Sequence, residues 1–443
     1  MAEMPSSETV STKQQRIAQL AKQAPQTAFT SLNHYIDLDW LVEAYDRTRK
    51  DGAVGVDGMT AAEYERDLQG NLQRLLNRAK SGTYVAPPVR RVHIPKGTGK
   101  DTRPIGIPTL EDKVLQRAVV MVLEPIYEQD FLNCSYGFRP KRSAHQALES
   151  LWKQTMSTGG GWVLEVDIRK FFDTLDHAHL RELLQLRVRD GAILRLIGKW
   201  LNAGVMEDGS ISHPDTGTPQ GGVISPLLAN VYLHEVLDVW FERTVKTCLK
   251  GRAFLIRYAD DFVIGFTDEN DARRVLEVLP KRFGKYGLTL HPDKTRLVEF
   301  RPPQDPGTGQ GTGTFDLLGF THTWERSRKG RWVVKRKTAA SRLTRAVKAI
   351  SQWCRQNRHA PVAQQRYTLS QKLRGHFGYY GITGNASALS RFLLEAKRVW
   401  LKWLSRRKRG NPMNWNDFNR LLGRYPLPAA RVVHSVYRRA VKP

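Results

Sequence analysis

The sequence predicts an α+β chain that closes in a long, basic, helical region. Three observations carry this. Short runs rich in β-branched and aromatic residues, such as Trp162 to Ile168 and Phe254 to Phe266, alternate with helix-patterned segments over the first 320 residues. From Thr321 onward, apolar residues recur at helical spacing in a strongly basic background. The composition is globular, 40% hydrophobic and 26% charged, and long enough for two to four domains.

The elements follow in order. Residues 1–30 read as a flexible or weakly helical leader. Leu38 to Gly52 carries Leu41, Ala44 and Tyr45 at helical spacing and a glycine stop. A second helix starts at Thr60 as N-cap and ends near Gly82. "VRRVHIPK" and "RPIGIP" are strands joined by the turn "GTGKDT". Helical patterns return at Leu110 to Tyr127 and Ser143 to Trp152, and "WVLEVDI" alternates as a strand. "SPLLANVYLHEVLDVWFERT" reads as a helix with Ser225 as N-cap and Pro226 in its first position. "FLIRYADDFVIGF" is a hairpin, followed by a helix near Asp271 to Tyr286 and strands near Thr295 to Phe300 and Phe315 to Phe320. A Gly/Pro-rich loop, Arg301 to Thr314, joins those last two strands. In the basic region, Leu343, Val347, Ile350 and Trp353 form one apolar seam, and Phe392, Ala396, Val399, Trp400 and Trp403 form another.

Charge divides unevenly. The chain carries +27, of which +26 lies from Thr321 to Pro443, where 29 Lys and Arg face only Glu325, Glu395 and Asp417. That asymmetry calls for a polyanionic partner. Cys134, Cys248 and Cys354 are scattered, which excludes a disulfide framework or a four-cysteine zinc site, and no HExxH spacing occurs. No run of 18 apolar residues and no apolar N-terminal segment appear, so a cytoplasmic protein is expected.

The chemistry concentrates on carboxylates. Asp260 and Asp261 stand inside an apolar run, where two carboxylates about 4 Å apart repel by roughly 4 kcal/mol at an effective dielectric near 20. Asp167 ends a strand 93 positions earlier. Should the two strands lie side by side, Asp167 and Asp260 converge into an oxygen-rich site suited to Mg²⁺ and to nucleotidyl transfer. Phe172 follows at a distance where a ring can lie under a sugar, and Thr216 to Pro226 forms a glycine-containing loop at a helix start, with Gln220 in reach of a nucleotide. Lys96 and Arg103 flank the early turn and can grip a triphosphate. "GTGK" there is no P-loop, because Asp101 replaces the Ser/Thr and Ile94 the leading glycine.

Taken in order, "RPIGIP", "SYGFRPKRSAHQAL", "VLEVDIRKFFDTLDH", "GTPQGGVISPLLANVYLHEVLD", "RYADDFVIGF", "HPDKT" and "LLGF" resemble the motif ladder of group II intron-encoded reverse transcriptase/maturases, over about residues 35–435. The resemblance implies a right-hand polymerase. Its fingers, with an N-terminal extension, would span 31–160, the palm 161–320, and an α-helical thumb or maturase domain 321–443. It implies Asp167, Asp260 and Asp261 as catalytic carboxylates and, with the Ile168 carbonyl, as ligands of two Mg²⁺ ions, Mn²⁺ being the substitute. Asp261 is the weaker ligand of the three.

Lys96, Arg103, Phe172, Gln220, Ala259 and Lys294 carry over to the nucleotide pocket, with Phe172 excluding a ribose 2′-hydroxyl. Leu317, Leu318, Gly319 and Phe320 resemble the primer grip. Arg342, Arg345, Lys348, Arg406, Arg407, Lys408 and Arg409 are the basic thumb residues assigned to RNA. Implied partners are intron RNA, an RNA template, a DNA primer or target and dNTPs, with no membrane. The chain would be nucleoid-associated when engaged with DNA. Up to Pro443 there are no Cys and His for a zinc-containing nuclease region, as in the endonuclease-lacking bacterial members. Two alternatives share these residues: a domesticated reverse transcriptase in defence or repair, and an RNA-binding splicing cofactor with an idle polymerase site.

Overall fold

A computed structural model describes residues 9–95, 102–207, 209–212, 216–218, 221–303, 313–407 and 412–435. From the N-terminus run α1 (Val10–Gln23), α2 (Leu38–Asp46), α3 (Ala61–Glu65) and α4 (Leu68–Ser81), then strands β1 (Val89–Pro95) and β2 (Thr102–Ile107), and the long α5 (Leu110–Asp130). Next come α6 (Ala144–Thr158), β3 (Gly161–Asp167), α7 (His177–Gln185), α8 (Gly191–Leu201), β4 (Val205–Glu207), β5 (Ser210–Ser212) and α9 (Ser225–Leu233). The hairpin strands β6 (Ala253–Tyr258) and β7 (Asp261–Phe266) precede α10 (Glu269–Gly284) and β8 (Arg296–Phe300). Strands β9 (Phe315–Leu317), β10 (Phe320–Arg326) and β11 (Trp332–Thr338) lead to α11 (Ala340–Gln356), α12 (Val362–Tyr380), α13 (Ala386–Ser405) and α14 (Trp415–Arg424).

These strands form three sheets, in the orders β2-β1-β4-β5, β6-β7-β3-β8 and β11-β10-β9. The chain divides into two compact units. One comprises Met1–Ala147, Val166–Ile264 and Arg273–Arg296; the other comprises Leu148–Glu165, Gly265–Ala272 and Leu297–Pro443.

In the first unit, side chains that accept from free helix amides set most of the starts. Thr9, Asp37, Asp67, Thr109, Asp176 and Asp190 all serve as N-caps. Thr60 makes a full capping box with Glu63. The core centres on α5, whose Val114, Leu115, Ala118, Val119 and Leu123 are completely buried. In the second unit, Ile350, Cys354, Leu373, Phe392, Ala396 and Trp400 form the centre of the helical core. The two seams expected from helical spacing therefore face that core, with Leu343, Val347, Trp353, Val399 and Trp403 packed at its margin.

Several expectations need correction. Within the leader the helical alternative holds over α1, which buries Ile17 and Ala21 and whose Gln14 donates to the Met121 carbonyl of α5. Its apolar stripe is only two residues wide, too narrow to stand out among polar neighbours. The helix at Leu38 stops at Asp46, well before Gly52. The segment from Thr60 to Gly82 is two helices, because Asp67 leaves helical geometry and caps α4.

Ser225 is the first residue of α9 rather than its cap, and its hydroxyl lies 2.8 Å from that of Thr218. Beyond Leu233 that helix widens into π-helical turns at His234–Val239 and Phe241–Val245. The basic region opens with strands: Phe315 to Phe320 is a tight hairpin corner, and β10 pairs with β11 from Phe320↔Thr338 to Arg326↔Trp332.

Candidate active site

The first unit carries the carboxylates. Ala259 and Asp260 connect β6 to β7, and Ala259 takes a left-handed backbone (φ 58°), which lets two residues reverse the chain. Phe254, Leu255, Ile256, Phe262, Val263 and Ile264 anchor both arms in the core. The apolar flanks therefore pin the hairpin, while Asp260 is half-buried and Asp261, opening β7, is exposed.

Asp167 ends β3, and just beyond it the chain bridges to Leu290 at Ile168. The two hydrogen bonds of that bridge run from the Arg169 amide to the Thr289 carbonyl (2.8 Å) and from the His291 amide to the Asp167 carbonyl (2.8 Å). The Ile168 carbonyl stands outside that bridge. A turn at His291, whose carbonyl accepts from the amides of Lys294 and Thr295, presents Lys294. Its Nζ lies 2.5 Å from Asp167 Oδ2.

Electrostatics join these groups. Burial holds the Asp260 carboxyl above its ordinary pKa; Asp167 adds to that shift, and Arg103 and Arg257 oppose it. Asp167, Asp260, Arg103 and Lys294 thus make one coupled set. Among the described residues, no three His, Cys, Asp or Glu side chains form a ready-made metal cage. The donor set is nevertheless one a hard cation fits: two mutually repelling carboxylates and a backbone carbonyl outside its bridge.

Phe172 borders a cavity of about 250 Å³ with Arg91, Pro104, Gly106, Gly217 and Thr218. The Phe172 carbonyl accepts from the Thr218 amide (2.7 Å), and the Gly217 amide donates to Leu175 (2.8 Å), so the glycine-containing loop is laced to the segment after Asp167. Gln116 of α5, which sequence reasoning passed over, accepts from the amides of Val223 (2.8 Å) and Ile224 (3.3 Å) and holds the far side of the same loop. Lys96 and Gln220 lie outside the described residues.

In the second unit, Leu318 (φ 52°) and Gly319 (φ 79°) form the two-residue corner between β9 and β10, with Leu317 and Phe320 buried on either side. A side chain at position 319 would be strained by that φ and would stand 3.0 Å from the Tyr380 hydroxyl. Tyr379 donates to the Leu318 carbonyl (2.9 Å). Arg342, Arg345 and Lys348 are exposed on α11, and Arg406 lies over the Trp403 ring at 5.0 Å.

Arg407 differs from its neighbours. Its guanidinium donates to the carbonyls of Arg358 and Ala360, closing the turn after α11, and burial lowers its pKa. Its role in the structure is to cap that turn. Lys408 and Arg409 lie outside the described residues.

Residues 94–322, just over half of the chain, match the family described as reverse transcriptase (RNA-dependent DNA polymerase). Protein YkfC of Escherichia coli (strain K12) is 34% identical over 361 residues, 72% of this chain and 90% of that protein. Group II intron-encoded protein LtrA of Lactococcus lactis subsp. cremoris is 38% identical over 223 residues, half of this chain but 37% of LtrA. The mitochondrial nuclear intron maturase 2 of Arabidopsis thaliana is 27% identical over 230 residues, 43% of this chain and 29% of the maturase. No described helix is long and apolar enough to cross a membrane. The matched span contains Asp167, Asp260 and Asp261 with the segments laced around them, and the chain belongs to the reverse transcriptase (RNA-dependent DNA polymerase) family.

Proposed function

We propose that this chain extends a primer 3′-end with dNTPs on an RNA template, and that its basic helical region binds group II intron RNA to assist splicing and retrohoming. The observation that carries the first part is the electrostatic joining of Asp167, at the end of β3, and Asp260, in the turn between β6 and β7, with Lys294 and Arg103 acting on the same pair. A pure RNA binder gains nothing from paired carboxylates, which repel the phosphates it must hold.

In this reading 31–160 serve as fingers with an N-terminal extension, 161–320 as palm and 321–443 as thumb. Reverse transcriptases use divalent metal ions, and here Asp167, Asp260, the Ile168 carbonyl and, less directly, Asp261 would hold two Mg²⁺. When bound, the ions supply activation of the 3′-hydroxyl and charge neutralisation at the leaving pyrophosphate. The protein's own residues do the rest. Lys96, Arg103 and Lys294 bind phosphate charge, Phe172 crowds the sugar 2′ position, and Ala259 and Gln220 shape the pocket. Leu317–Phe320 supports the primer strand, and the exposed Arg342, Arg345, Lys348 and Arg406 track RNA backbone.

The test is primer extension on an RNA template by the wild type beside Asp260→Ala. Loss of product by at least a hundredfold is expected; equal synthesis would overturn the polymerase assignment. Running intron splicing on the same variant reads the second role separately, and splicing retained by Asp260→Ala is the expected result.

A further inference from the structure

Beneath the Ala259–Asp260 turn lies a buried polar cluster of Arg257, Asp238 and Asn230. Arg257, the penultimate residue of β6, is completely buried, as is Asp238 in the π-helical turn after α9. The guanidinium donates from Nε to Asp238 Oδ1 (2.7 Å) and from Nη2 to Asp238 Oδ2 (2.5 Å). Nη1 donates both to Asn230 Oδ1 (2.9 Å) and to the carbonyl of Ala259 (3.1 Å). Four of the five guanidinium hydrogens are thereby assigned. Asn230 continues the chain of bonds by donating to the Gly137 carbonyl (2.8 Å).

We infer that Arg257 is the positioning residue of the catalytic turn, holding Ala259 and hence Asp260 in place, with Asp238 and Asn230 fixing its guanidinium; this rests on Asp260 being a catalytic carboxylate.

Three features argue for positioning rather than for stability alone. First, a bidentate buried ion pair is a poor way to stabilise a core, because desolvating both charges costs several kcal/mol each, and apolar residues of similar volume often do as well or better. What an apolar pair cannot supply is a donor aimed at the Ala259 carbonyl.

Second, that carbonyl belongs to a residue in left-handed backbone, a conformation that costs a non-glycine residue about 1–2 kcal/mol and persists only where its surroundings impose it. Arg257 grips the turn from inside. From outside comes the segment around Ser135, where the Arg257 amide donates to Cys134 and the Tyr136 amide donates to Arg257 (2.8 and 2.9 Å). Gly137 lies so close that a Cβ there would meet the Ala259 nitrogen at 2.3 Å.

Third, the helix is adapted to the cluster. Asn230 and Asp238 are eight residues apart, about 80° out of phase on a regular α-helix. The widening into a π-helical turn at His234 falls between them and brings both side chains to one guanidinium. π-Turns of this kind occur frequently at functional sites.

The experiment compares single-nucleotide primer extension by the wild type, Asp260→Ala, Arg257→Lys and the double variant Arg257→Met/Asp238→Leu, with thermal unfolding and primer–template binding measured for each. The apolar double variant should stay folded, with a midpoint within a few degrees of wild type and unchanged primer–template affinity. Its kcat should fall at least thirtyfold, with the dNTP KM moving less than threefold. Arg257→Lys keeps the charge but cannot span three acceptors, and should recover part of that loss, to within about tenfold of wild type.

A stable double variant with wild-type kcat overturns the inference. So does a loss of rate that only tracks the folded fraction. Should the double variant not fold, a folded Arg257→Lys with wild-type kcat overturns it equally. Failure of the underlying reading is distinct: there the wild type makes no product, or Asp260→Ala makes as much.

Discussion

Lys294 Nζ sits 2.5 Å from Asp167 Oδ2, so the strand-end carboxylate is paired with an ammonium from the turn at His291. The pair is substantially exposed, and its contribution to stability is below about 1 kcal/mol. Its consequence is competitive, because the same carboxylate is proposed to hold a metal ion. Replacing Lys294 with Met should lower the Mg²⁺ concentration for half-maximal extension by severalfold. At saturating Mg²⁺ it should also reduce the rate about tenfold through loss of a phosphate contact. A Mg²⁺ titration of primer extension reads both; an unchanged midpoint would separate Lys294 from the metal site.

The neighbouring aspartates should not be equivalent. Asp260 is half-buried and coupled to Asp167, whereas Asp261 is exposed at the head of β7. Asp260→Asn is expected to cost at least a hundredfold in extension rate, and Asp261→Asn at least tenfold less than that. Equal losses would mean both carboxylates are needed alike.

Phe172 presents its side to the cavity walled by Gly106, Gly217 and Thr218. Replacing it with Val opens space at the position assigned to the sugar check. The ratio of dNTP to rNTP incorporation should fall by at least tenfold while dNTP use stays within about threefold of wild type. Unaltered discrimination would place the check elsewhere.

The basic residues of the helical region should also separate by role. Arg345 is exposed, and changing it to Ala should weaken RNA binding and flatten the dependence of log affinity on log salt by about one unit. Arg407 instead ties down the Arg358 and Ala360 carbonyls. Arg407→Ala should lower unfolding stability by about 1–2 kcal/mol and leave the salt slope unchanged. Salt-dependent binding and thermal melts of the two variants check this.

A pH effect on stability follows from Asp112. Burial pushes its carboxyl up to about 7, and the Tyr84 hydroxyl donates to it beside Trp200. The folded state holds this proton more tightly than the unfolded chain, whose value is near 4. Stability therefore falls as pH rises from about 4 and the loss is complete above about 7. Asp112→Asn keeps an acceptor for Tyr84 and removes the titration. Across that window the variant should gain roughly 3 kcal/mol on the wild type, read by urea unfolding at pH 4.5, 6 and 7.5.

What was legible in the sequence was whatever repeats along one element. The period of two placed β3, continuous runs of β-branched and aromatic residues placed β6 and β7, and the seam from Leu343 to Trp353 placed α11 on its core. The turn chemistry of Thr60 and Gly82 marked true helix ends. What depends on meeting a distant partner did not show. Arg257 looks like an interruption of an apolar strand until Asp238 arrives from 19 residues away, and Gln116 reads as one more polar residue on α5 until the amides of Val223 and Ile224 reach it. The corner at Leu318 was hidden because leucine there gives no turn signal, and the hydrogen bond that holds it comes from Tyr379, 61 positions on. Arg407 stands within a run of four basic residues, and only geometry distinguishes it, through the carbonyls it ties down, from its neighbours.

The π-helical turns after Leu233 place a constraint on length that residue-by-residue comparison does not register. Substitutions along their exposed face leave the spacing between Asn230 and Asp238 intact, but inserting a single further residue between them would rotate everything beyond it by about 100°. Asp238 would turn away from β6 even though every side chain of the cluster was still encoded. In this chain, then, one inserted residue at a helix with no catalytic residue of its own would be a sharper sign of a disabled polymerase than many changes of letter around it.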